Sequence, residues 1–223
     1  MLRNFGLALI ASLLISASYA IPAVNFPFNS QVPTVARVRQ AYIFQFTDST
    51  FAPAGTKYSY TLSGQPAWLS LDSDTRTLSG APGDADAGSS IFLLTAADGT
   101  GAAHMQCTLV VSPDPVPQLQ GTLGEQLAAD TNLSSSDPAT ITLRPGDTFQ
   151  FHFRQDSFID AVQRTLYYYA TLTDHTPLPA WLHFDAGSLT FSGTAPQLSA
   201  FPQTWQVELI ASDVQGFAGS SSA

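Results

Sequence analysis

Aromatic residues recur at every second position in two places along this chain. Tyr42, Phe44 and Phe46 alternate with smaller or polar residues, and Phe149, Phe151 and Phe153 do the same. Period-two alternation marks a strand with one buried face. Further short apolar runs lie between turn clusters such as Ser63-Gly64-Gln65-Pro66, Ala81-Pro82-Gly83-Asp84 and Asp98-Gly99-Thr100-Gly101. Helical periodicity is absent after residue 20, although Asp156 to Arg164 is long enough for one helical turn. Several short strands at this spacing predict an all-β chain folded as immunoglobulin-like sandwiches of seven strands.

The same pattern occurs twice. Pro66-Ala67-Trp68-Leu69-Ser70-Leu71-Asp72 returns as Pro179-Ala180-Trp181-Leu182-His183-Phe184-Asp185. Leu78-Ser79-Gly80 and Phe191-Ser192-Gly193 stand at the same distance beyond each copy. Upstream, Phe44-Gln45-Phe46 matches Phe149-Gln150-Phe151; downstream, Leu94-Thr95-Ala96-Ala97-Asp98 matches Ile210-Ala211-Ser212-Asp213. So many ordered matches identify two copies of one domain. Residues 1–20 form a leader, 21–113 the first sandwich and 114–223 the second, with Pro113-Asp114-Pro115-Val116-Pro117 as a stiff linker. After Asp98 the first copy supplies one more strand, His104 to Ser112, whereas the second stops soon after Asp213. The second copy is therefore expected to be incomplete at its C-terminus. Trp68 and Trp181 are expected in the two cores, where truncation to alanine costs about 3–5 kcal/mol.

The first twenty residues read as a secretory signal. Arg3 gives the positive start, Phe5 to Ile15 the apolar stretch, and Ser18-Tyr19-Ala20 the small-x-small cleavage pattern. Net charge is −9 with 11% charged residues, which argues against nucleic acid and anionic lipid as partners. The single cysteine, Cys107, excludes an intramolecular disulfide and alternates with Met105, Leu109 and Val111 as a buried thiol. Asn132-Leu133-Ser134 is the one glycosylation sequon.

Catalytic patterns are missing. His104, His152, His175 and His183 form no metal-spaced pair, and no nucleophile elbow or phosphate loop occurs. The expectation is a binding protein without catalytic residues.

The pattern P-x-W-L-x-[LF]-D, then S-G-[TA]-x-P, then A-[AS]-D-x-x-G, resembles the dystroglycan-type cadherin-like domain. Tandem copies behind a leader, opened by Phe26-Pro27-Phe28-Asn29-Ser30-Gln31-Val32-Pro33, are similar to the fungal axial-budding-pattern family. The resemblance implies a cell-surface glycoprotein for adhesion or polarity, with protein partners at the surface or wall and an anchor and cytoplasmic tail beyond Ala223. It also raises calcium as a cofactor, since cadherins bind it between domains. Asp98, Asp114 and Asp213 are the candidate weak ligands, although calcium takes six to eight oxygens and two or three carboxylates make no tight site. A turn role is the simpler expectation for Asp98 and Asp213. A second reading is a spacer or carbohydrate-binding module of a secreted enzyme, for which an outward aromatic row among Tyr167, Tyr168 and Tyr169 would speak.

Overall fold

The computed structural model describes residues 20–130, 140–197 and 203–214. The leader up to Tyr19, the sequon at Asn132 and the last residues from Gln215 lie outside the described residues.

In the first copy the strands are β1 (Ala23–Val24), β2 (Val35–Arg37), β3 (Tyr42–Gln45), β4 (Phe51–Ala52), β5 (Ser59–Ser63), β6 (Leu69–Asp72), β7 (Thr77–Gly80), β8 (Gly88–Ala97) and β9 (Ala102–Ser112). They form one sheet in the order β2-β9-β8-β5 and a second in the order β3-β7-β6, with β1 paired to β4. β2 runs parallel to β9, and the other pairs are antiparallel. The alternation behaves as expected: Tyr42 and Phe44 are buried while Ile43 and Gln45 face solvent. Between the sheets lie Phe28, Phe46, Leu78, Leu94, Cys107 and Leu109, all fully buried. Each such apolar side chain contributes about 1.5–3 kcal/mol relative to exposure.

The second copy follows the same plan. It comprises β10 (Gln118–Leu119), α1 (Leu123–Asp130), β11 (Thr148–His152), β12 (Phe158–Ile159), β13 (Tyr167–Leu172), β14 (Leu182–Asp185), β15 (Thr190–Thr194) and β16 (Val207–Ser212). β11-β15-β14 form one sheet, β13-β16 the facing one, and β10 pairs with β12. Leu127, Phe153, Leu189 and Phe191 make the buried cluster. Among the described residues β16 has β13 as its single ladder neighbour, whereas its counterpart β8 lies between β5 and β9.

The pairing corrects the alignment of the copies. Gly80 faces Tyr42 on one side and Leu69 on the other, and Gly193 faces Phe149 and Leu182. Tyr42, and not Phe44, is thus the counterpart of Phe149. Ring geometry agrees: Tyr42–Trp68 and Phe149–Trp181 are both edge-on contacts at 6.1 Å. A shift of two residues keeps every aromatic on its face of the strand, so the alternation alone does not expose it. Backbone bonds outside the strands match as well. Gln40 donates to the Arg37 carbonyl as Asp147 donates to that of Arg144, and Arg39 to Pro82 as Gly146 to Ala195.

The repeated Ser-Gly has a steric reason. A Cβ on Gly80 would stand 2.0 Å from the Trp68 carbonyl oxygen, and one on Gly193 would stand 2.1 Å from that of Trp181. The chain carrying each tryptophan crosses its central strand at a point where only glycine fits.

Two expectations change. Both tryptophans are half-buried rather than sealed in the core. Trp68 packs against the edge of the first cluster, while Trp181 lies between Phe149 and Trp205. A helix is also present, at α1, where none was expected. Thr122 Oγ1 accepts from the Glu125 amide and Glu125 Oε2 accepts from the Thr122 amide, each at 3.2 Å, a reciprocal capping box. The stretch Asp156–Arg164 holds β12 and a turn instead of a helical turn.

Candidate functional site

Two of the three aspartates proposed from sequence, Asp114 and Asp213, converge at the joint between the copies, where they meet Arg37 and Arg164. Arg37 ends β2, Asp114 sits in the linker two residues after β9, and Asp213 follows β16 directly. Arg164 comes from the β12–β13 connection, fixed by its amide donating to Asp160 Oδ2 at 2.6 Å. Arg37 donates to Asp213 through both terminal nitrogens, Nη1 to Oδ2 at 2.8 Å and Nη2 to Oδ1 at 2.5 Å. The Asp213 side chain is 0% exposed and that of Arg37 9%. Arg37 Nη1 also donates to the Asp114 carbonyl at 3.1 Å. Arg164 Nη1 lies 2.5 Å from Asp114 Oδ2 and 3.8 Å from Asp213 Oδ2.

Electrostatics follow from this arrangement. Burial alone would raise the Asp213 carboxyl, but the Arg37 bonds and charge, backed by Arg164, hold it below the ordinary carboxylate range. Two carboxylates meet two guanidinium groups, so the joint is neutral and its buried charges are paired. The planar fork of Arg37 matches the carboxylate in a way that lysine cannot.

These contacts bear on calcium. Asp114 and Asp213 come together as expected, but arginines stand in the position a cation would take. Asp98 is spent on its own turn: Oδ1 accepts from Thr100 Oγ1 at 2.6 Å, the Thr100 amide at 2.7 Å and the Gly101 amide at 3.2 Å. The Thr100 hydroxyl is the main cause of its lowered pKa. Among the described residues no three His, Cys, Asp or Glu side chains cluster to hold a metal ion. The donor set does not fit calcium.

A second contact joins the copies. His175, at the tip of the β13–β14 connection with φ +65°, stacks on Phe44 with ring centres 4.6 Å apart. Phe44 belongs to the first copy's core, so a loop of the second copy is seated against it. Cys107 is fully buried, and burial pushes its thiol up to about 12. Tyr167, Tyr168 and Tyr169 are each half-buried and make no outward aromatic row. Asn132 lies outside the described residues. Sequence reasoning missed the roles of Arg37, Arg164 and His175 at the joint.

The family described as "Putative Ig domain" matches residues 25–112 and again 131–223. The chain is 29% identical over 212 residues to Axial budding pattern protein 2 of Saccharomyces cerevisiae, covering 89% of this chain and 26% of that protein. The chain thus spans about a quarter of the length of that relative. Among solved structures, an endo-fucoidan hydrolase of glycoside hydrolase family 107 is similar at 19% identity and TM-score 0.37, over 86% of this chain and 32% of that one. Titin domains Z1Z2 in complex with telethonin are similar at 15% identity and TM-score 0.31, over 86% and 94%.

Proposed function

The chain belongs to the "Putative Ig domain" family, and on that premise we propose that it is the extracellular part of a cell-surface protein acting in polarity or adhesion. The observation that carries this reading is the 29% identity to Axial budding pattern protein 2, which runs through both sandwiches. In this reading the protein works by binding and not by catalysis. The Pro-x-Trp-Leu and Ser-Gly pattern supports reading both copies as dystroglycan-type cadherin-like domains. Its partners are proteins of the cell surface or wall, and its route is the secretory pathway. The joint holds its angle through arginine–carboxylate pairs, so calcium is not required for it.

The test is a fluorescent fusion to the complete gene product in its own cells. Signal concentrated at the cortex of the division or bud site is expected. Signal released evenly into the medium would remove the landmark role and leave a secreted accessory module.

A further inference from the structure

A cavity of about 470 Å³ opens beside the joint, with walls from both copies. Val32 of the first copy and Leu178, Leu182 and Phe184 of the second give it apolar sides. Its lining contains no Asp, Glu, Lys or Arg. The size is that of a ligand site, which typically measures about 300–1,000 Å³.

Two observations say what fits there. Four consecutive residues of β13, Tyr168 to Thr171, line the cavity. A strand alternates its side chains between faces, so it presents neighbours together along its edge. β13 is such an edge: among the described residues β16 is its one ladder neighbour. The second observation is a pair of unmet polar atoms. Thr171 Oγ1 and His175 Nδ1 are buried without a hydrogen-bond partner, both residues line the cavity, and Thr171 is only 6% exposed. A buried polar atom left unpaired destabilises the free protein, and a ligand group that reaches it recovers that loss.

We propose that this groove binds an extended, uncharged peptide segment of a partner protein, laid along the edge of β13 with an apolar side chain between the two copies. Strand addition uses main-chain bonds for affinity and a pocket for side-chain choice. The lining carries no carboxylate, ammonium or guanidinium, so it selects against charged segments, because a charge brought there loses its water and gains no such counter-ion. Thr171 and His175 give the peptide main chain one hydroxyl and one imidazole nitrogen to meet. The inference rests on the binding-protein reading for the partner being a protein. It is tested on the isolated two-copy chain, so its failure leaves the localisation experiment standing.

The probe is a capped hexapeptide of alternating threonine and valine, titrated while backbone amide resonances are followed. Saturable shifts at residues 168–171 are expected, with no binding by the same peptide carrying N-methyl groups on alternate amides. Lysine in place of the valines is expected to abolish binding. Thr171→Val should weaken the peptide about two- to tenfold while raising the melting temperature of the free chain, since it removes the unmet hydroxyl. Absence of shifts at millimolar peptide overturns the proposal. So does equal binding of the N-methylated peptide, which would mean apolar capture without strand pairing. Protection of the same amides by self-association of the free chain overturns it in favour of a second copy as occupant.

Discussion

Arg37 and Asp213, 176 residues apart, close a two-bonded contact that excludes water from the carboxylate. One belongs to the first strand of the main sheet in the first copy, the other to the turn after the last described strand of the second. The pair carries most of the charge pairing at the joint, with the Asp114 carbonyl as a further acceptor for Arg37 and Arg164 Nη1 3.8 Å from Asp213. Removing either leaves a buried charge, whereas replacing both with apolar groups leaves none.

Arg37→Ala is accordingly expected to destabilise the chain by about 3–5 kcal/mol. Arg37→Lys should recover only part of this, because an ammonium cannot make both bonds. Arg37→Met with Asp213→Leu should come close to the parent. Urea melts of the four proteins measure these differences, and an unchanged Arg37→Ala midpoint would contradict the joint.

Acid should loosen the same contact. The Asp213 pKa is lowered in the folded chain, so its stabilisation is complete above the unfolded value of about 3.9 and is lost as pH falls through the folded one. Melting temperature is expected to drop below about pH 4, and to drop less steeply in the Arg37→Met, Asp213→Leu protein. Asp72 and Asp185, also lowered by bonds within their turns, contribute equally to both curves.

Gly80→Ala should cost about 3 kcal/mol or more, since the new Cβ meets a backbone oxygen 2.0 Å away and neither chain can yield. Gly83→Ala is the control: the nearest contact there is a side-chain oxygen at 3.6 Å. Calorimetry of the two variants distinguishes loss of space from loss of glycine itself.

Cys107 should be inert in the folded chain. Its thiol is 0% exposed and pushed up to about 12, so a disulfide reagent at pH 8 finds almost no thiolate and no path. The reaction is expected to proceed at the rate of unfolding and to accelerate with urea. Rapid labelling without denaturant would place the residue at the surface.

Calcium and chelator should leave the melting curve of the parent chain superimposed. Asp114 and Asp213 already carry arginine partners and Asp98 is bonded within its turn. A calcium-dependent shift of several degrees would show that the ion displaces a guanidinium.

The fold was legible where local rules act. Alternation gave the faces of β3 and β11, and the Trp-to-Gly spacing gave the duplication. The register between copies was off by two, because a period-two pattern repeats onto itself and only the glycine opposite Tyr42 and Phe149 fixes it. α1 escaped because eight residues show little periodicity, although Thr122 and Glu125 spelled its cap. The half-burial of Trp68 and Trp181 was not readable either, since it depends on where their backbone crosses a glycine. The joint was half-legible: Asp114 and Asp213 were picked out, but for a cation, because nothing local in Arg37 or Arg164 tells that they reach across the copies.

The equivalence of the copies extends to the joint itself. Arg144 occupies in the second copy the position that Arg37 holds in the first, and Asp98 corresponds to Asp213. Only the inner arginine and the inner aspartate meet; Arg144 is exposed, and Asp98 answers to its own loop. The lock therefore joins unlike ends, so the two copies are not related by a two-fold axis through it. A contact of that kind gives the molecule a direction, and no partner reached by the same contact can close it into a symmetric pair.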